Sequence, residues 1–183
     1  MRFLTYILFL VSFAAFSQKN LYEKEIATFR KTRIDSLQHE NGYLNLSGLF
    51  WLKEGENTIG SDQKNDFVFP SEHSDSFLGK MMLDKGIVAF QSHSANQVFG
   101  MGRPVSQAII FKDLKPVVLA HKSLRFFILK RGDNYALRLR DLEGEYVRNF
   151  KGIDYFSIDS SWRIKAKFVP TYGKKLHITD ITG

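Results

Sequence analysis

The pattern of hydrophobic and polar positions changes after the first forty residues of this chain. From Asn20 to Glu40, apolar side chains recur at three- and four-residue steps with polar side chains between them. This spacing predicts one amphipathic helix, placed within residues 18–42. Asn20 and Glu23 have the spacing of a capping box, and Asn41-Gly42 is typical of a left-handed helix end. We expect the helix to pack on a sheet.

From Tyr43 onward, short alternating or wholly apolar runs are separated by turn residues, which is typical of antiparallel sheet. Asp84-Lys85-Gly86 and Arg131-Gly132-Asp133-Asn134 predict two tight hairpins. We predict a mainly β fold, an antiparallel sandwich or partly open barrel with one N-terminal helix, and a β-rich domain over residues 43–183. The predicted strands are Tyr43–Leu52, Asn57–Ile59, Phe67–Phe69, Gly79–Leu83, Ile87–Gln91, Ser106–Phe111, Pro116–Ala120, Arg125–Lys130, Tyr135–Arg140, Arg163–Phe168 and Leu176–Thr179.

The leader before the helix has the layout of a secretory signal peptide. Arg2 precedes a mainly apolar run from Leu4 to Val11, and Ala15 and Ser17 have the small-x-small spacing of a cleavage site. An uncleaved anchor would need roughly twenty apolar residues, and this run is about half as long. The pattern predicts a signal peptide over residues 1–17, cleavage after Ser17, and a periplasmic or extracellular protein with no stable membrane anchor.

Composition and charge narrow the chemistry further. The chain is 44% hydrophobic and 14% aromatic, with seventeen phenylalanines, which favours a β-rich core. It contains no cysteine, so neither a disulfide nor thiol chemistry is available, and no lipid can be attached at the cut. The net charge of +7 includes Arg2, which leaves +6 after cleavage. Export and the scattering of the basic residues argue against nucleic acid as a partner.

The densest charged group on a predicted strand is Arg138, Arg140 and Asp141. Alternation along the strand places Arg138 and Arg140 on one face and Leu137 and Leu139 on the other. Two planar guanidiniums, with Arg131 in the preceding hairpin, could hold a carboxylate or phosphate group. The alternative interpretation is a solvent-facing arginine ladder. The candidate ligand is an anionic small molecule or an anionic envelope polymer.

Other catalytic or metal-binding patterns are weak. His73, His93 and His121 are far apart in sequence and lack the spacing of metal ligands, and no nucleophile elbow is present. Glu143 and Glu145 could form a carboxylate pair with Asp141, but a glycine-containing turn explains them as well. No cofactor and no metal is predicted.

Ordered landmarks along the chain carry a family resemblance. Trp51-Leu52, Gly60-Ser61, Arg131-Gly132-Asp133 and Tyr155-Phe156 resemble exported bacterial proteins grouped as domain of unknown function family 1684. Members of that family continue into a second half that has no counterpart here. The resemblance therefore implies an amino-terminal portion, truncated at its C-terminus, and it implies no activity.

A second, shorter resemblance covers Asn57–Pro70, which is similar to the start of a forkhead-associated (FHA) phosphopeptide-binding sandwich. That family places an arginine after the glycine and a Ser-x-x-His motif later. Here Ser61 follows Gly60, and Ser71-Glu72-His73 has the wrong spacing. Because the charge-assisted phosphate donors are missing, a sandwich fold is compatible with this segment and phosphopeptide recognition is disfavoured.

Together these patterns predict an exported envelope protein that is a binding or structural module with an anionic ligand. The alternative is an envelope hydrolase whose catalytic residues lie mostly in a missing C-terminal half. Export and positive charge favour the first hypothesis, and the apparent truncation leaves the second open.

Overall fold

The computed structural model describes residues 21–94, 97–170 and 173. The chain divides into two compact units. One consists of Arg30–Ile153, and the other combines Met1–Phe29 with Asp154–Gly183. Both sheets formed by the described residues belong to the first of these units.

Residues 21–38 form helix α1, which confirms the predicted amphipathic helix. Asn20 lies outside the described residues, so the capping box stays a prediction. The prediction of a left-handed Gly42 is wrong, because Gly42 is not among the residues with positive φ. Its amide instead donates to the carbonyl oxygen of His39 over 2.6 Å. A Cβ on Gly42 would collide with backbone carbonyl oxygens of the last helical turn, so glycine is required for close approach.

The described strands form two six-stranded sheets. The order β1-β12-β11-β10-β6-β7 defines sheet A, and β3-β2-β4-β5-β8-β9 defines sheet B. The strands are β1 Leu46–Trp51, β2 Gly55–Gly60, β3 Phe67–Val68, β4 Gly79–Asp84, β5 Ile87–Ser92, β6 Phe99–Gly100, β7 Arg103–Pro104, β8 Gln107–Lys112, β9 Lys115–Pro116, β10 Leu119–His121, β11 Leu124–Arg131 and β12 Asn134–Asp141. The protein is therefore a mainly β sandwich, as the alternation predicted.

Both predicted hairpins are confirmed. β4 and β5 pair from Asp84 and Ile87 outward, and Lys85 and Gly86 both have positive φ. β11 and β12 pair along their whole length from Arg131 and Asn134 outward. Their register fixes which side chains of β12 face the core, so these turns position the candidate site.

One predicted strand is divided by the structure. The segment Pro116–Ala120 contains the end of β9, which lies in sheet B, and the start of β10, which lies in sheet A. The chain thus leaves one sheet after Pro116 and enters the other at Leu119. The continuous apolar run gave no sign of this change of sheet, because Val117 and Leu119 on either side of it both pack in the same core.

Aromatic side chains join the two sheets in the core. Phe126 of β11 is fully buried, with ring centroids 5.7 Å from Phe69 and 6.0 Å from Phe90 of the opposite sheet. Phe50 of β1 stacks on Phe67 of β3 at 5.2 Å. Five phenylalanines, Phe67, Phe69, Phe90, Phe111 and Phe126, are buried in this core, and Phe50 packs against it.

In the other unit, the described residues outside the helix are mostly irregular. A single 3-10 turn covers Ser160–Trp162, and the guanidinium of Arg163 lies 5.4 Å from the centroid of the Tyr22 ring. The prediction of a strand over Arg163–Phe168 is wrong: these residues are irregular and exposed. Alternation favours a strand, but a strand also needs a neighbour for its backbone groups. The predicted strand Leu176–Thr179 lies outside the described residues.

No helix within the described ranges has the length and apolar content needed to cross a membrane.

Candidate functional site

Strand β12 separates the residues that the sequence grouped together. Leu137 and Leu139 are buried in the core, whereas Arg138 and Arg140 are partly exposed on the opposite face, as alternation predicts. Asp141 is the next residue and therefore points to the core side. A ligand clamp made of both arginines and Asp141 is not formed.

Arg140 is hydrogen-bonded to the loop that precedes β1. Its guanidinium donates to the carbonyl oxygen of Gly42 and to the side-chain oxygen of Asn45. Burial and, next, the charge of Arg138 lower the pKa of Arg140 from its ordinary value. These bonds fasten the end of the helical segment to sheet A, so Arg140 has a structural role here.

Arg131 lies at the tip of the β11–β12 hairpin, where it is paired with Asn134. Arg138 is four residues further along β12, about 13 Å away at the usual rise of a strand. Arg131 and Arg138 therefore do not converge on one small ligand. Arg138 stays a candidate for contact with an anion on the outer face of sheet A.

Asp141 instead forms a buried hydrogen-bond network with His73, which lies in the segment after β3 of sheet B. The Asp141 side chain is 4% exposed, and its Oδ2 lies 2.6 Å from Nδ1 of His73. The other carboxylate oxygen accepts the Ser123 hydroxyl over 2.8 Å and the Glu143 amide over 3.0 Å. Three donors thus converge on one buried carboxylate.

This network fixes the histidine ring. Because a carboxylate only accepts hydrogen bonds, Nδ1 of His73 carries the proton that it shares with Asp141. The Nε2 atom is left on the other side of the ring, and its nearest charged group is Oε2 of Glu143, 3.9 Å away. The His73 side chain is 13% exposed. A histidine oriented by a buried aspartate can act as a hydrogen-bonding group or as a base.

A cleft of about 610 Å³ opens beside His73 and Asp141. Its walls are residues 44–47 at the start of β1, residues 70–73 after β3, and the turn from Gly144 into the short helix α2, Glu145–Arg148. The turn is set locally, because the Asp141 carboxylate accepts the amide of Glu143 two residues later. The start of β1 in sheet A and the segment that follows β3 of sheet B thus meet at this cleft.

The lining of the cleft is polar. Glu72 and Arg148 form an exposed ion pair of 3.2 Å across it, and the Tyr146 ring is 75% exposed at its wall. Glu145 also lines the cleft, and its carboxylate has no hydrogen-bond or ion-pair partner in the described part of the chain. Glu143 and Glu145, predicted as members of a turn, are indeed exposed turn and helix residues.

The second buried histidine belongs to a different cluster. Nδ1 of His121 donates to the carbonyl oxygen of Gln97 over 2.8 Å, and its Nε2 lies 3.9 Å from Asp75. A hydrogen bond from Lys122 lowers the pKa of Asp75 from its ordinary value. Within the ranges that the structure describes, no group of three histidines, cysteines or carboxylates could hold a metal ion.

Sequence reasoning noted His73 and Asp141 separately and missed their pairing. The two residues are 68 positions apart, so no local spacing connects them. The available signal was the position of Asp141 at the end of β12, where alternation turns its carboxylate toward the core. A buried carboxylate requires a donor, and a search for a distant histidine partner would have followed from that requirement.

The comparisons with known proteins add a weak likeness. No family model matches the chain, and no curated protein matches it. An FHA domain from a study of phosphothreonine-dependent FHA interactions is 19% identical, with 50% of this chain and 92% of that domain covered and a TM-score of 0.34. The FhaA FHA domain complexed with the intracellular domain of Rv3910 is 19% identical, with 50% and 97% covered and a TM-score of 0.34. At this TM-score the likeness carries no argument about function.

Proposed function

We propose that this chain is a ligand-binding module whose site is the cleft beside His73 and Asp141. The observation that carries the proposal is the fixed His73 ring, which lines an open polar cleft and whose Nε2 has no hydrogen-bond partner in the described residues. Ordering a side chain in advance lowers the entropic cost of binding. The walls include the start of β1 in sheet A and the segment that follows β3 of sheet B, so both sheets help to position the site.

The alternative, a hydrolase, has less support from these residues. The Ser123 hydroxyl donates to Asp141 and is therefore not the partner of His73 Nε2. In the described ranges no hydroxyl group hydrogen-bonds to that nitrogen, so the nucleophile of a serine-type triad is lacking. Binding requires only the groups that are present.

Fragment titration tests the proposal. The probes are glucose, N-methylacetamide, sodium phosphate and n-butylammonium chloride, each added to the isotopically labelled protein and followed by backbone amide NMR. We expect at least one probe to shift the resonances of residues 71–73 and 143–148 together. Tyr146→Ala removes an exposed wall of the cleft, and should weaken that binding about fivefold.

Tyr43→Ala is the matched control, since Tyr43 is 74% exposed and does not line this cleft. It should leave the affinity unchanged. If no probe shifts the cleft resonances, or if Tyr146→Ala and Tyr43→Ala behave alike, the cleft is not the binding site.

The proposal includes export, as the leader predicts, and membership of domain of unknown function family 1684 stays a prediction. We expect the protein recovered from a bacterial periplasmic extract to begin at Gln18 by mass spectrometry. Ala15→Leu removes a small residue of the cleavage site and should block processing. Recovery of a chain that still begins at Met1, in the unsubstituted protein, would contradict export with cleavage.

A further inference from the structure

We infer that a second pocket, separate from the cleft beside His73, binds the carboxylate or phosphate group of a small organic anion between Arg33 and Arg140. This inference goes beyond the proposed function, because it concerns a different site. The pocket has a volume of about 390 Å³. Its walls are the last two turns of helix α1, residues 41–43 of the following loop, the start of β1 and Arg140 of β12.

The first argument is the unused edge of the Arg140 guanidinium. Its Nη1 donates to the carbonyl oxygen of Gly42 and to the side-chain oxygen of Asn45. Its Nε is buried and has no acceptor within the described residues, and its Nη2 also lacks an acceptor there but is reached by solvent. Carboxylate and phosphate groups bind such an edge with two parallel hydrogen bonds. An anion in the pocket would therefore supply the acceptors that this edge lacks.

The second argument is the charge of the pocket. Arg33 also lines it, and its guanidinium has no hydrogen-bond or ion-pair partner in the part of the chain that the structure describes. No described carboxylate lines the pocket. The acidic residues of the same helical segment are already paired, Asp35 with Lys31 and Glu40 with Arg125. Two positive charges without a negative one favour an anionic ligand.

The end of helix α1 does not cancel this preference. The carbonyl oxygens at the end of a helix carry partial negative charge, which would oppose an anion. Here the carbonyl oxygens of Leu37, His39 and Glu40 already accept hydrogen bonds from donors in the loop at residues 42–45. Arg138, two residues before Arg140 on the same face of β12, adds a further positive charge to this surface.

The remaining walls of the pocket fit an organic stem. Leu37 and Leu46 are half-buried beside the arginines, and Tyr43 is 74% exposed. The volume lies in the range of about 300–1,000 Å³ that is usual for small-molecule sites. Apolar side chains next to a charged group are typical of sites that hold an organic anion by its head group.

Four probes with an aromatic stem test the inference: phenyl phosphate, sodium benzoate, benzyl alcohol and benzylammonium chloride. Each is added to the isotopically labelled protein at constant ionic strength and followed by backbone amide NMR. We expect phenyl phosphate or benzoate to bind about tenfold or more tightly than benzyl alcohol, with shifts at residues 33–43 and 140. Benzylammonium should leave these resonances unshifted, and the tighter of the two anions identifies the head group as phosphate or carboxylate.

Arg33→Gln removes one charge from an exposed helical residue, and should weaken binding of the tighter anion about fivefold. Arg103→Gln is the matched control, since Arg103 is exposed on β7, at the edge of sheet A opposite to β1. It should change the affinity by less than about twofold, because salt screens charges at such separations. The side-chain Nε–H resonance of Arg140 should shift along the same saturation curve as the amides.

Absence of binding by both anions, equally tight binding of benzyl alcohol, or equal effects of the two glutamine variants would overturn the inference. So would anion-induced shifts confined to residues 71–73 and 143–148, which line or adjoin the cleft beside His73. The two sites have separate probes and separate variants. Failure of the anion pocket therefore leaves the proposed function to its own titration.

Discussion

Replacing Asp141 by alanine is expected to lower the free energy of unfolding by about 3–5 kcal/mol. The buried carboxylate accepts from His73, Ser123 and the amide of Glu143, and alanine would leave all three donors without a partner. An unpaired buried polar group costs its full desolvation free energy. Urea denaturation followed by circular dichroism measures the change, with an unchanged m-value as the sign that the folded state is intact.

Two further variants separate the network from a general effect of charge. Asp154→Ala removes an exposed aspartate and should change the free energy of unfolding by less than about 0.5 kcal/mol. Asp141→Asn keeps an oxygen for Ser123 and Glu143 but loses the charge opposite His73, so an intermediate loss is expected. A loss below about 1 kcal/mol for Asp141→Ala would show that the buried network contributes little to the sandwich.

Phe126→Ala is expected to destabilise the protein by about 3–5 kcal/mol. The Phe126 ring is fully buried and contacts Phe69, which directly follows β3, and Phe90 of β5, so its removal leaves a cavity between the sheets. The same urea titration measures the loss, and thermal unfolding gives an independent value.

Phe127 offers the matched control, because it is the next residue on β11 and lies half-buried on the other face of the sheet. Phe127→Ala should cost less than half as much as Phe126→Ala. Equal losses would mean that the two faces of β11 are packed alike, which contradicts the sandwich described above.

The fold was readable from sequence wherever turn chemistry and alternation agreed. Lys85-Gly86 and Gly132 mark hairpins whose strands also alternate, and both hairpins are present. Alternation alone misled at Arg163–Phe168, because periodicity reports a face and says nothing about a partner strand. The conformation of Gly42 was mispredicted for a related reason. Glycine is required there because helix carbonyl oxygens leave no room for a Cβ, and the sequence gives no distance to those oxygens.

The candidate site was less predictable than the fold. Arg138 and Arg140 drew attention because they are neighbours in sequence, yet Arg140 is bonded to the loop at Gly42 and Asn45. The pairing of His73 with Asp141 depends on how the two sheets are stacked, which no local pattern encodes. Alternation extended by one residue would have placed Asp141 on the core side, and that was the part of the site within reach of sequence.

The most direct test of a binding site built on His73 is the ¹⁵N resonance of its imidazole during the fragment titration. Before any probe is added, the neutral ring should carry its proton on Nδ1, as the bond to Asp141 requires. When a probe fills the cleft, the Nε2 resonance of His73 should shift along the same saturation curve as the backbone amides of residues 71–73. A proton on Nε2 of the neutral ring, or an Nε2 resonance that stays fixed while a probe binds, would contradict the proposed site.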